Sequence, residues 1–153
     1  MTVFRIAKEQ YIRDLSGEGA RLFGGRWNRK GTPLLYTAES RALAAVETLV
    51  HLSMPLAPRD LWIARIGIPE DAGCFRISLK DLPPDWAGHP PPLKLSVLGE
   101  EWVRGNRTLC MQVPSAPVRG DWNVLVNPKH PGFSRVKILE AEPFHPDERL
   151  FNR

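Results

Sequence analysis

Cysteine is scarce. The 153 residues hold two, Cys74 and Cys110. They build neither a disulfide framework nor a paired metal-binding motif. Reduced, buried thiols are the expectation, and with them a cytoplasmic protein. Long apolar runs are missing too, since nothing approaches the ~20 residues a membrane-spanning helix needs. No membrane partner is therefore expected. The start, Met1-Thr-Val-Phe-Arg-Ile6, has no basic segment leading into an apolar one, so no signal peptide is expected. Blocks of like charge are absent as well. Lys and Arg total 21 against 17 Asp and Glu, which leaves only +4. With no recognisable DNA-binding motif, direct nucleic-acid binding is not expected. The four histidines, His51, His89, His130 and His145, lack the spacing of a metal motif, and no metal is expected. Gly17-Glu-Gly-Ala does not continue as a dinucleotide-binding glycine motif. Ser115 lies in Val113-Pro-Ser-Ala-Pro117 and lacks the flanking glycines of a hydrolase elbow.

What the chain has in quantity is punctuation: 15 prolines and 12 glycines cut it into short elements. Strands are predicted over 1–6, 34–38, 61–68, 109–113, 123–126 and 135–139. A short helix is predicted over 8–16, with Tyr11, Ile12 and Leu15 on one side. A glycine-punctuated loop follows over 17–31. The strongest helical pattern runs from Arg41 to Ser53, capped by Ser40 and ended by Pro55. Residues 69–100 read as an irregular, proline-rich excursion or lid. There is no repeat and no linker. The fold class expected is α+β, one domain over 1–153, with a largely antiparallel or split sheet and flanking helices.

Glu47 is the most informative residue. On the helix from Arg41 it shares a face with Leu43, Val46, Val50 and Met54. A carboxylate in an apolar stripe costs several kcal/mol unless it is paired or hydrogen-bonded (roughly;). It is either one half of a buried pair, with an arginine or with His51, or a working carboxylate at a cleft. Arg26 follows two glycines in Gly24-Gly-Arg-Trp-Asn28, which allows close approach of a ligand. Its planar fork suits phosphate oxygens, or it ties the loop to Glu47 or Glu39. Trp27 reads as a packing anchor. Arg21, Arg26, Arg29 and Lys30 form the densest basic group, fit for a phosphorylated ligand or a nucleic-acid backbone. Tyr36 either stacks on a planar ring or fills core. Arg5, inside the first strand, either pairs with an acid or points into a polar cleft. Ser115 reads as a turn residue on spacing alone, and Lys129 and His130 as rim contacts in a structured turn.

The run Gly17-Glu-Gly-Ala-Arg-Leu-Phe-Gly-Gly-Arg-Trp-Asn28 resembles the signature of the RES-domain toxins, named for an arginine, a glutamate and a serine. The similarity continues through Tyr36-Thr-Ala-Glu-Ser40, Leu43-Ala-Ala-Val-Glu47 and His51, then Leu82-Pro-Pro-Asp-Trp86 and Gly99-Glu-Glu-Trp102. It closes with Val113-Pro-Ser-Ala116, Asn123-Val-Leu-Val-Asn-Pro-Lys-His130 and Asp147-Glu-Arg-Leu150. The resemblance implies an ADP-ribosyltransferase-like fold. It implies the toxin of a type II toxin–antitoxin pair, held by an Xre-type antitoxin, with which an oligomer can form. The activity implied is cleavage of NAD at the nicotinamide–ribose bond, as glycohydrolase or phosphorylase; the alternative is transfer of ADP-ribose to a protein. NAD is then a consumed substrate, and no cofactor is expected. Carried over, Arg26, Glu47 and Ser115 are the catalytic set, while Arg5, Arg26, Tyr36 and Ser115 bind NAD. The implied roles are a carboxylate facing the ribose for Glu47, a grip on phosphate for Arg26 and Arg5, stacking on nicotinamide for Tyr36, and orientation for Ser115.

Overall fold

A computed structural model describes residues 1–52 and 58–151. Seven strands form one sheet: β1 (Thr2–Lys8), β2 (Leu35–Ala38), β3 (Leu61–Gly67), β4 (Cys74–Arg76), β5 (Cys110–Pro114), β6 (Trp122–Val126) and β7 (Lys137–Pro143). Their order across the sheet is β4-β5-β6-β2-β1-β3-β7. Every pairing is antiparallel except β4 with β5, which is parallel. The two halves meet weakly. β1 pairs with β3 along its whole length, yet meets β2 at the single register pair Phe4↔Ala38. The next pair along that register, Arg5 with Thr37, is not made, so the strands part before Tyr36. The sheet is thus split and mostly antiparallel, as expected.

Alternation along the strands sorts side chains onto two faces. On one, Val3, Leu35, Ala64, Ile66, Val124 and Val126 pack with Ile12. On the other, Met111, Val113 and Leu125 pack with Trp27, Leu34, Leu95 and Val103, while Ala38 packs with Leu43, Ala44 and Phe4. The helices lie over this second face: α2 (Arg41–Leu49) and α3 (Leu93–Gly105). Ser40 caps α2 by accepting from the Leu43 backbone N–H at 3.1 Å, which contributes about 1 kcal/mol.

Three expectations need correction. Residues 8–16 form successive turns and not a helix. The Tyr11 and Ile12 backbone N–H groups both return to the Lys8 carbonyl, and buried Ile12, with Leu15 packed beside it, anchors the segment to the core. The glycine loop contains a helix, α1 (Glu18–Phe23), enclosed by Gly17 and Gly24 at φ 74° and 72°. A Cβ on Gly17 would come within 2.5 Å of the Leu34 backbone nitrogen, so the turn into α1 requires glycine there. The excursion 69–100 is more ordered than its prolines suggest. It carries β4, two short 3-10 turns and the first half of α3. The buried stripe of α3 is Leu95, Ser96, Gly99 and Val103, in which two small polar or glycyl residues stand where apolar ones would mark a helix. Ser53, Met54 and Pro55, invoked for the end of α2, lie outside the described residues. The apolar stripe is also shorter than expected, because Leu43 and Ala44 are buried but Val50 is exposed.

Gly99 sets how closely α3 approaches the loop that carries Arg26. A Cβ there would stand 1.9 Å from the Trp27 carbonyl oxygen. Gly99→Ala is expected to destabilise the protein by about 1–3 kcal/mol through forced backbone displacement. Chemical denaturation of the two proteins measures it, and an unchanged midpoint would contradict this packing.

Candidate functional site

Strand alternation places Tyr36, Ala38, Asn123 and Leu125 on the face covered by α2. Ser115 follows β5 two residues after Val113, which pairs with Asn123. Glu47, one turn from the buried Leu43 and Ala44, reaches down from α2 to this row. Its Oε1 accepts two hydrogen bonds, from Ser115 Oγ at 2.7 Å and from Asn123 Nδ2 at 2.5 Å. Ser115 is fully buried, and its hydroxyl also accepts from the Val118 backbone N–H at 3.1 Å. That second bond fixes the hydroxyl, so its proton is aimed at Glu47. Among the described residues, Oε2 makes no hydrogen bond and neither oxygen has an ion-pair partner. The pairings considered for Glu47, with an arginine or with His51, are therefore not what holds it. Two neutral donors orient one oxygen and leave the other unengaged.

Arg26 is on the loop after α1, where the Trp27 backbone N–H donates to Tyr36 Oη at 3.0 Å. Tyr36 Oη in turn donates to Asn28 Oδ1 at 2.7 Å. Burial pushes the Tyr36 phenol well above its ordinary pKa, partly offset by the Trp27 N–H and the charge of Arg26. The hydroxyl thus stays protonated and acts as a fixed strut between β2 and the arginine loop. Arg26 Nη1 donates to the carbonyls of Trp86 at 2.8 Å and Gly88 at 3.1 Å. Partial burial lowers the Arg26 pKa, and the charge of Glu47 opposes this. The guanidinium therefore feels the Glu47 carboxylate without touching it. Its Nε and Nη2 carry no protein hydrogen bond among the described residues. A groove of about 530 Å³ opens beside it, lined by Phe23, Arg29, Lys30, Pro92 and Leu93 among others. Glu47 is not on the wall of that groove; Arg26 is the residue the two regions share.

Arg5 is placed apart from this cluster. Phe4 shares its face with Ala38, so Arg5 points to the opposite one. There its Nη1 donates to the carbonyls of Tyr11, Ile12 and Asp14 at 3.0, 3.2 and 2.7 Å. An arginine within a strand is thus explained by the backbone turns at 8–16, whose carbonyls it gathers. Trp27 is buried in the second core, as expected of a packing anchor. Glu39 accepts from the Trp122 backbone N–H and does not meet Arg26. Lys129 is exposed, and His130 Nδ1 accepts from the Gly132 backbone N–H within its own turn. Among the described residues no three His, Cys, Asp or Glu side chains gather as metal ligands.

Asn123 was missed from sequence. The signal available was a polar residue at the start of a strand otherwise Val-Leu-Val, on the face that Glu47 covers.

Comparison with known proteins now bears on this arrangement. The RES domain model matches residues 2–147. The chain belongs to the RES domain family. A relative from Yersinia enterocolitica named Toxin Res is 35% identical over 98% of this chain and 99% of its own. Another, from Sphingobium sp. (strain YBL2), is named Prs ADP-ribosylating toxin and is 34% identical over 92% of this chain and 88% of its own. Among solved structures, a chain of the M. tuberculosis MbcT–MbcA toxin–antitoxin complex matches with a TM-score of 0.70 at 19% identity. That match covers 94% of this chain and 83% of the other, and it establishes the likeness of fold.

The shared carboxylate oxygen makes a direct prediction. Asn123→Ala removes one of two donors to Glu47 Oε1 without removing the charge. It is expected to lower turnover about 10- to 100-fold, within the range for a hydrogen bond to a charged group of about 1.5–3 kcal/mol, while Asn123→Gln retains more activity. Equal activity in Asn123→Ala and wild type would remove Asn123 from the site.

Proposed function

We propose that this protein is the toxin of a bacterial type II toxin–antitoxin pair and consumes NAD by breaking its nicotinamide–ribose bond. The observation that carries the reading is Glu47: a carboxylate oriented through one oxygen by Ser115 and Asn123, with the other oxygen free, near a partly buried arginine. Loss of nicotinamide needs no nucleophilic side chain. The C–N bond breaks, its electron pair stays on the nicotinamide nitrogen, and positive charge develops on the ribose. A fixed carboxylate facing that charge stabilises the transition state. Glu47 Oε2 is suited to accept from a ribose hydroxyl on the same side. Arg26 has donors free for the pyrophosphate, and Lys30 adds positive charge along the groove, whereas Arg29 is paired with Glu100. Tyr36, tied through its hydroxyl, offers a ring that cannot swing away from the bound base. Arg5 serves this site at a distance, by shaping the turns at 8–16.

Water or inorganic phosphate would then capture the ribose cation. A protein side chain is the second reading, and the name of the Sphingobium relative favours it specifically. The family's pairing with an antitoxin extends to a partner for this chain, of Xre type, which would cover the cleft.

Glu47→Gln keeps the shape and removes the charge. Release of nicotinamide from NAD is expected to fall at least about 100-fold, the loss typical of one preorganised electrostatic partner, with little change in melting temperature. Wild-type rates in that variant would reject the mechanism. The acceptor is read by mass spectrometry of bacterial lysate proteins incubated with the enzyme and NAD. Free ADP-ribose or its phosphorylated product supports solvent or phosphate capture, and an ADP-ribose adduct on a discrete protein supports transfer.

A further inference from the structure

Outside the Glu47 site, the two cysteines form the other pairing of reactive side chains. The sequence suggested two buried thiols, but Cys74 is exposed while Cys110 is fully buried. They are register partners in the parallel pair β4 and β5. Directly paired residues on neighbouring strands put their side chains on one face with backbones about 4.8 Å apart, inside the ~4.4–6.8 Å Cα separation that a disulfide accepts.

The edge strand is also held in this register on either side of the pair. The Cys110 backbone N–H donates to the Gly73 carbonyl, and the Ile77 N–H to the Gln112 carbonyl. One step along, Arg76 Nε donates to Gln112 Oε1 at 3.0 Å, and its guanidinium lies 4.4 Å from the centre of the Trp122 ring. The two sulfurs differ in character. The Cys110 thiol as hydrogen-bond donor lowers the Cys74 pKa, with the charge of Arg76 assisting, and Cys110 itself is pushed up by that bond and by burial. One sulfur is thus accessible and the more readily ionised, and the other is a shielded thiol against it.

We infer that Cys74 and Cys110 form a reversible dithiol–disulfide site, with exposed Cys74 the sulfur oxidised by a small hydroperoxide and buried Cys110 the resolving one. The Cys74 thiolate attacks a peroxide oxygen, the O–O bond breaks, and hydroxide leaves, giving a sulfenic acid. Cys110 then attacks the Cys74 sulfur. Its proton goes to the departing hydroxyl, the S–O bond breaks, the S–S bond forms, and water leaves. Two thiols and one hydrogen peroxide give one disulfide and two waters. The bond would tie the edge strand to β5, the strand that ends at Ser115.

The test uses the full-length protein treated with stoichiometric hydrogen peroxide and then alkylated after denaturation. Intact mass is expected to fall by about 2 Da with no alkylation, and dithiothreitol should restore two alkylatable thiols. In Cys110→Ser the resolving sulfur is gone, and Cys74 should instead gain one or two oxygens, about 16 or 32 Da. In Cys74→Ser, Cys110 should remain fully alkylatable. The inference is overturned if wild type keeps two alkylatable thiols, gains oxygen as Cys110→Ser does, or forms a disulfide between two chains. The wild-type measurement stands alone should either variant fail to fold.

Discussion

The placement of one carboxylate oxygen governs how this molecule is organised. Glu47 Oε1 accepts a hydrogen bond from the Ser115 hydroxyl, just past β5, and one from the Asn123 amide near the start of β6. It thereby pins α2 back onto the half of the sheet it emerges from, since α2 follows β2 and β2 pairs with β6. Leaving a charged oxygen at a partly buried position costs free energy unless donors replace water. Two neutral donors do so without cancelling the charge, as an arginine would. One carboxylate oxygen is left without a protein partner among the described residues. A salt bridge would have given an equally sound fold and a less available group.

The arginine side follows a related constraint. Arg26 is partly desolvated, and one of its nitrogens is satisfied by protein carbonyls. Two carbonyls of the proline-rich segment, those of Trp86 and Gly88, share one nitrogen. This couples the 83–92 segment to the loop after α1, so the sequence's proline-rich excursion is a wall of the site and not a detached lid. The Tyr36 hydroxyl fixes the same loop from below, between the Trp27 N–H and Asn28. Arg26 is therefore held from two directions while the remainder of its fork stays open, which is the geometry an anion-binding arginine needs.

Most of the fold was readable wherever local pattern and tertiary role agreed. Ser40 and the stripe through Leu43 marked α2, and alternating or continuous apolar runs marked six of the seven strands. Reading failed where local signals were carried by small residues. Ser96 and Gly99 hide the buried stripe of α3, because close approach to Trp27 selects for lack of bulk there and not for hydrophobicity. The 8–16 segment failed in the other direction. Tyr11, Ile12 and Leu15 carry helical spacing, yet Arg5 draws three carbonyls of that segment to one guanidinium nitrogen, an arrangement a helix would deny by using those carbonyls itself. Asn123 was invisible because its partner is remote in sequence and its type is ordinary at a strand start.

The resemblance implied a second phosphate-gripping arginine at Arg5. In this fold Phe4 pairs with Ala38 on the Glu47 face, and Arg5 faces the other side, where it gathers the carbonyls of Tyr11, Ile12 and Asp14. The same parity gathers Tyr36, Asn123 and, through Val113, Ser115 onto one face under α2. With β1 and β2 joined at one pair only, the sheet parts before Tyr36. The weakest junction in the sheet therefore lies next to the row of polar groups that converge on Glu47, and the hydrogen bonds of Ser115 and Asn123 to that carboxylate hold α2 across it.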